Sequence, residues 1–148
     1  MKTKAIFTKV GHWNTLFVYQ YGTLCLRYSL AVIFIWFGIL KPIGQSPAAE
    51  MVANTVFWFS ADWFVPFLGI WEVTIGFFLL FRKTVPWALL LLFFQMPGTF
   101  LPLILLPEVT FTHFPYGLTL EGQYIIKNLT LIAAAITVGG TIQTPKTN

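Results

Sequence analysis

The fold is decided by an apolar run in the first third of the chain, GTLCLRYSLAVIFIWFGILK, residues 22–41. The run carries one charge, Arg27, before it ends at Lys41. A helix rises about 1.5 Å per residue, so this length crosses the hydrocarbon core of a bilayer, which is about 30 Å thick. The run therefore predicts a membrane-spanning helix.

Three further runs of the same kind follow, at residues 65–81, 85–106 and 123–140. The second span contains Glu72, an ionisable residue of the kind that faces the interior of a helix bundle rather than lipid. We therefore expect an all-α membrane protein, a bundle of four transmembrane helices formed by one domain of 148 residues.

Composition supports this class and excludes two others. The chain is 57% hydrophobic, 18% aromatic and only 9% charged, whereas about a quarter of the residues of a soluble domain are charged. Its nine basic residues exceed its five acidic ones only slightly and form no patch, so no nucleic-acid partner is expected. The lipid bilayer is the predicted environment.

Few residues are available for metal or redox chemistry. Cys25 is the single cysteine, which excludes an internal disulfide, a Cys-x-x-Cys pair and a thiolate metal cage. The two histidines, His12 and His113, fall on opposite sides of the predicted membrane. We therefore expect no metal site and no intrinsic cofactor, although a quinone remains a candidate ligand.

Charge distribution predicts the orientation. With four spans both termini share a side, and that side receives most of the basic residues: Lys2, Lys4, Lys9, Arg82, Lys83 and Lys146. The positive-inside rule then places both termini in the cytoplasm. The first apolar run begins late and is long, so we expect it to be retained rather than cleaved as a signal peptide.

Two local features modify the simple four-span picture. After Pro47, apolar residues recur at helical spacing, which predicts a short amphipathic helix in the outer loop between the first two spans. In the third span Pro97, Gly98 and Pro102 predict a kink in the outer half.

Small and polar residues fall on one face of each predicted helix. The first helix carries Arg27, Ala31, Phe34, Gly38 and Lys41 at alternating spacings of four and three, and the other helices continue the pattern. The equivalent residues of the other three spans are Gly69, Glu72 and Gly76; Ala88, Gln95 and Thr99; and Tyr124, Lys127, Asn128 and Leu131. We name these four faces the inward seams.

The seams predict a polar pocket that opens to the outer side. The side chains expected to converge there are those of Lys41, Glu72, Gln95, Thr99, Lys127 and Asn128, with Arg27 apart from them near the inner end. Glu72 needs a partner at its depth, and either Lys127 or Lys41 can supply it. Such a pair either handles a ligand or a proton, or only fixes the packing of the helices.

The string from Leu26 to Lys41 resembles the first helix of the DoxX-like membrane proteins, with an arginine, an apolar run and a glycine three residues before a lysine. Glu72 in LGIWE and the stretch from Glu121 to Lys127 are similar to the second and fourth helices of that family. Pro42 and the sequence Met96-Pro97-Gly98 depart from the pattern.

The resemblance implies a four-helix inner-membrane protein linked to thiosulfate:quinone oxidoreduction, oxidative-stress complexes or membrane-protein assembly. One hypothesis is a quinone-linked redox subunit, in which Trp36, Trp71 and Phe94 surround a quinone ring. Electrons then come from a bound redox partner protein or pass directly from substrate to quinone, and a homo-oligomer is the alternative assembly. A second is a non-catalytic binding or assembly protein for a lipid, a solute or a membrane partner. A transporter is disfavoured, because four helices without an inverted repeat form a poor alternating-access device.

Overall fold

The computed structural model describes the backbone of residues 2–143, and the side chains of residues 17, 18 and 20–142. The side chains of Lys2, Lys4, Lys9 and His12, and all of Lys146, lie outside the described residues. The positions predicted for these terminal charges therefore remain predictions from the sequence.

Seven helices and one small hairpin form the described chain. The helices are α1 Lys2–Leu40, α2 Ala49–Thr55, α3 Ala61–Leu80, α4 Val85–Phe100, α5 Pro102–Leu105, α6 Pro107–Thr110 and α7 Leu120–Gln143. The strands β1 Phe111–His113 and β2 Gly117–Leu118 pair antiparallel, a hairpin that the sequence had not indicated.

Four helical segments are long and apolar enough to cross a membrane: Gln20–Leu40, Ala61–Leu80, Val85–Leu105 and Leu120–Ile142. They begin and end within a few residues of the spans predicted from sequence. The four-helix, all-α membrane fold is thus confirmed. The short helix predicted between the first two spans is also present, as α2.

Proline and glycine set the ends of α1 and of the third span. Pro42 disfavours helical geometry in the residue before it, and α1 ends at Leu40. Gly44, at φ 72°, then takes a left-handed turn that a side chain would strain. In the third span Pro102 has no N–H to donate, and the assigned helix is interrupted at Leu101, between α4 and α5.

The spans pack in a ring, in the order α1, α3, α4, α7 and back to α1, with the most extensive contact between α1 and α3. Apolar side chains, most of them aliphatic or small, fill the centre of this ring: Leu30, Ala31, Phe34, Ile75, Leu79, Val85, Ala88, Leu92, Met96, Ala134, Ala135 and Val138. Lipid removes the hydrophobic drive for helix association, so close van der Waals packing of such residues has to hold the bundle together.

Candidate functional site: a charge pair beside a cavity between the spans

The centre of the site is an ion pair between α1 and α3. Lys41 Nζ pairs with Glu72 Oε2, and the side chains are only 7% and 12% exposed, respectively. Of the two partners that the sequence offered for Glu72, the structure thus selects Lys41. Because the pair is internally neutral, it satisfies two charges that would each be costly alone in a membrane interior.

Two glycines bring the pair together. A Cβ atom at Gly38 would lie 2.7 Å from the carbonyl oxygen of Gly69, and one at Gly69 would lie 2.5 Å from the carbonyl oxygen of Gly38. The backbones of α1 and α3 therefore touch at this point. Lys41 and Glu72 each follow their glycine by three residues, about one helical turn. Both side chains therefore lie close to the face on which the two helices touch.

Gln95 on α4 extends the pair into a three-residue cluster. Its Nε2 donates a hydrogen bond of 2.9 Å to Glu72 Oε1. The amide orientation follows from this contact, because a carboxylate oxygen accepts from N–H and not from a carbonyl. The consequence is that Gln95 Oε1 is buried without a hydrogen-bond partner. An unsatisfied buried acceptor costs about 1–3 kcal/mol, so this oxygen is a site where a donor would be stabilising.

A cavity of about 110 Å³ lies beside the cluster, and all four spans line it. Its walls are formed by Ile33, Phe34, Phe37, Lys41, Glu72, Gln95, Met96, Thr99, Asn128 and Leu131. The volume suits a few water molecules or one molecule of comparable size. It is well below the roughly 300–1,000 Å³ of pockets that enclose drug-sized ligands.

Thr99 and Asn128 add neutral polar groups to the cavity wall. The Thr99 hydroxyl donates to the carbonyl oxygen of Met96 at 2.8 Å, which leaves its lone pairs available. Within the part of the chain that the structure describes, the Asn128 side chain makes no hydrogen bond, so its amide offers both a donor and an acceptor. The cavity therefore presents acceptors as well as donors, the donors including N–H groups of Lys41, Gln95 and Asn128.

Lys127 and Tyr124 do not belong to the cavity, although the sequence placed them on the inward seam of the fourth span. Both are exposed, and the Lys127 ammonium lies 4.5 Å from the centre of the Tyr124 ring. Helical phase explains the error: the buried face of α7 includes Ile125, and two residues further on Lys127 points about 200° away. Asn128 is the polar residue of α7 that faces the other spans.

The predicted aromatic interior is also corrected. Trp36 is 65% exposed and Phe94 is 77% exposed, so both rings face outward rather than into the bundle. Trp36 lines a shallow surface groove on α1. Trp71 is partly buried, and its Nε1 donates to the carbonyl oxygen of Leu91 at 3.3 Å. These aromatic side chains therefore cannot surround a ligand in the centre of the bundle.

Arg27 is half-buried and lies apart from the cavity, near the other end of α1. Its guanidinium carbon lies 4.9 Å from the centre of the Tyr28 ring, and its Nε is buried without a partner. In sequence terms the residue belongs to the first inward seam, but the structure separates it from the other charged members of the seams.

Sequence reasoning did not identify three of the cavity residues, Ile33, Phe37 and Met96. Apolar residues carry no chemical signal, although Met96 lies between Gln95 and Thr99 and Phe37 lies beside the first seam. Within the described residues, no three His, Cys, Asp or Glu side chains are placed to share a metal ion. The cluster offers hydrogen-bonding groups and an internally neutral ion pair.

Comparisons of the chain with protein-family models, with curated proteins and with solved structures find no match.

Proposed function

We propose that this chain is a membrane subunit that binds a small, neutral, polar molecule between its four spans. The observation that carries the proposal is the position of the Lys41, Glu72 and Gln95 cluster, on the wall of a cavity that every span lines. A pair that served packing alone would need neither a cavity beside it nor an amide left unpaired on Asn128.

Charge balance limits the chemistry of the ligand. Lys41 and Glu72 neutralise each other, so the cavity offers no net charge to an anion or a cation. The available acceptors are the hydroxyl oxygen of Thr99 and the amide oxygens of Asn128 and Gln95, the last after a small side-chain shift, because its oxygen is screened from solvent. Because Lys41 and Asn128 also present N–H donors, a molecule that both donates and accepts hydrogen bonds matches more of these groups than an oxyanion or a quinone, whose oxygens only accept.

We also propose that the chain belongs to the DoxX-like family and lies in the bacterial inner membrane. The resemblance to DoxX-like proteins rests in part on residues that hold the site, Gly38, Lys41 and Glu72, and this supports membership. Arg82 and Lys83 lie at the α3–α4 turn, whereas the four exposed acidic residues lie at the opposite end of the bundle: Glu50, Asp62, Glu108 and Glu121. The two basic residues at this turn support cytoplasmic termini. The resemblance supports a location in the bacterial inner membrane.

Thermal unfolding of the purified protein in detergent tests the ligand chemistry with three probes. Acetamide is neutral and both donates and accepts, thiosulfate is an anion that only accepts, and a short-chain ubiquinone carries two acceptor carbonyls. We expect acetamide to raise the unfolding midpoint and the other two to leave it unchanged. Stabilisation by thiosulfate alone would contradict the neutral-ligand proposal and favour sulfur chemistry.

Two variants localise the effect. Leu131→Phe adds volume to the cavity wall without touching the charge pair, and it should abolish the acetamide response while the fold is retained. Lys127→Gln removes an exposed charge one residue from Asn128 and should leave the response as in the wild type. An acetamide response that survives in Leu131→Phe would place binding elsewhere.

A quinone-linked redox subunit is the second candidate, and one observation favours it. The rings of Phe67, Trp71 and Phe94 form a row on the outside of α3 and α4, with centroids 6.0 Å apart at each step. A quinone ring is too large for the cavity, but it fits against such a row from the lipid side. With one cysteine and no metal-ligating cluster among the described residues, electrons would come from a bound partner protein or pass directly from a substrate to the quinone.

Extraction in mild detergent followed by lipid analysis tests this second role. Ubiquinone or menaquinone retained in stoichiometric amount by the wild type, and lost in Trp71→Leu, would support it. Retention that is equal in both proteins, or no retention at all, would argue against quinone binding at this row.

A further inference from the structure

Arg27 has no acidic side chain to pair with anywhere in the chain. The five acidic residues comprise Glu72, which pairs with Lys41, and four exposed residues at the outer end of the bundle. Arg27 lies on α1 more than three turns before Lys41, toward the opposite end. No side chain of the polypeptide therefore balances its charge.

The surroundings of Arg27 make this imbalance unfavourable. The side chain is half-buried, its Nε is screened from solvent without a hydrogen-bond partner, and its guanidinium lies over the Tyr28 ring. A cation–π contact satisfies no N–H donor. The planar guanidinium matches the oxygens of a phosphate or carboxylate, with which it forms two parallel hydrogen bonds.

The register of α1 and α3 gives the level of Arg27 in the bundle. Gly38 lies against Gly69, and Ala31 lies against Gly76, so the two helices run antiparallel with a constant register. Continuing this register by one turn places Arg27 level with Leu80, the last residue of α3. Arg27 is therefore level with the end of α3, where its long side chain can reach toward the headgroups.

Two further cations lie at this end. Arg82 and Lys83 follow α3 directly, and both are exposed at the turn to α4. Next to Arg27, the side chains of Leu24 and Tyr28 are 42% exposed, so an apolar surface lies beside the guanidinium. The combination offers cations to a phosphate and apolar side chains to the acyl chains below it.

We infer that Arg27 is the centre of a binding site for the phosphate group of an anionic lipid in the leaflet on this side. The guanidinium binds the phosphate oxygens, Arg82 and Lys83 add long-range attraction, and Leu24 and Tyr28 contact the upper part of an acyl chain. A free phosphate ion shares the first interaction but lacks the last, so the lipid binds more tightly. This site is separate from the cavity and does not depend on the proposed function.

Native mass spectrometry in a neutral detergent tests the inference with phosphatidylglycerol and phosphatidylcholine of identical acyl chains. The wild type should bind phosphatidylglycerol more tightly. Arg27→Gln should weaken that binding about fivefold, the factor expected for one cation at an anionic membrane surface, and leave phosphatidylcholine binding unchanged. Arg27→Lys keeps the charge without the planar fork and should lose less.

Lys127→Gln is the matched control, because it removes one exposed positive charge at the other end of the bundle. It should leave phosphatidylglycerol binding at the wild-type level. An equal loss in both Gln variants would show a net-charge effect and overturn the site, as would wild-type binding by Arg27→Gln. If Arg27→Gln does not fold, the test depends on Arg27→Lys. Wild-type affinity of that variant for phosphatidylglycerol would overturn the role of the guanidinium.

Two further outcomes would change the ligand. Inorganic phosphate that binds the wild type as tightly as phosphatidylglycerol would overturn the lipid as its source. Loss of an oligomer in Arg27→Gln, with lipid binding unchanged, would instead assign the counter-charge to a second polypeptide.

Discussion

Gly38 and Gly69 touch backbone to backbone, and their contact sets the position of the only ion pair among the described residues. A side chain on either residue would meet the carbonyl oxygen of the other, at 2.7 Å and 2.5 Å. At Gly69 the space is further limited by Pro42 and by Lys41, whose Cβ atom would lie 2.8 Å from a Cβ atom added to the glycine. The pair of Lys41 and Glu72 thus depends on two residues that carry no functional group.

Gly69→Ala should separate α1 from α3 and destabilise the protein. The added methyl group meets backbone atoms that cannot rotate away, and overpacking of this kind costs about 1–3 kcal/mol. We expect a lower thermal unfolding midpoint, followed by circular dichroism in detergent. Gly140→Ala is the control, because a Cβ there meets nothing within 4 Å, and it should leave stability equal or higher. Equal midpoints for the two variants would contradict the backbone contact.

A double-mutant cycle on Lys41 and Glu72 should show strong coupling. Lys41→Met leaves the Glu72 carboxylate without its buried partner, and Glu72→Gln leaves the Lys41 ammonium facing a neutral amide. Breaking a buried pair in this way costs about 3–5 kcal/mol. The double variant has no unpaired charge and should lose less than the sum of the single variants. Equilibrium unfolding in mixed detergent micelles measures all four proteins. Additive losses would show that the two side chains do not interact.

The matched control for that cycle is Lys127→Gln. Lys127 is exposed and contacts the Tyr124 ring, so its replacement should change the free energy of unfolding by no more than about 0.5 kcal/mol. A loss as large as that of Lys41→Met would place Lys127 in the bundle after all.

Thr119 should prove important for the start of the fourth span. Its hydroxyl donates to the carbonyl oxygen of Val109 at 2.7 Å and accepts from the backbone N–H of Gly122 at 3.1 Å, which is a helix N-cap. Thr119→Ala removes both bonds and should lower stability by about 0.5–2 kcal/mol. Thr119→Ser keeps the hydroxyl and should restore most of it. Unchanged unfolding midpoints in the Ala variant would refute the cap.

Cysteine labelling should establish the orientation. Cys25→Ser yields a chain without cysteine, into which Lys83→Cys or His113→Cys is introduced at exposed positions of opposite ends. With both termini cytoplasmic, a membrane-impermeant maleimide added to intact spheroplasts should label position 113 and not position 83. Labelling of position 83 and not of position 113 would show that the protein has the opposite orientation in the membrane.

Much of the fold was predictable from sequence because the period of an α-helix constrains which residues face inward. On the first two spans the predicted inward residues Ala31, Phe34, Gly38, Glu72 and Gly76 are all buried. On the fourth span the seam was wrong at Tyr124 and Lys127. There the polar residues 127 and 128 are adjacent, and the choice between them depends on a helix rotation of about 100° that polarity alone does not specify.

The sequence by itself determined that the chain forms four membrane-spanning helices, because apolar length and scarce charge leave a polypeptide few other states in lipid. It also restricted the polar interior to a few side chains. Only the tertiary structure decided that Glu72 pairs with Lys41, since that choice follows from the close approach of α1 and α3 at two glycines. The cavity beside Gln95 and the isolation of Arg27 likewise arise from how four helices fit together, a property that no single span contains.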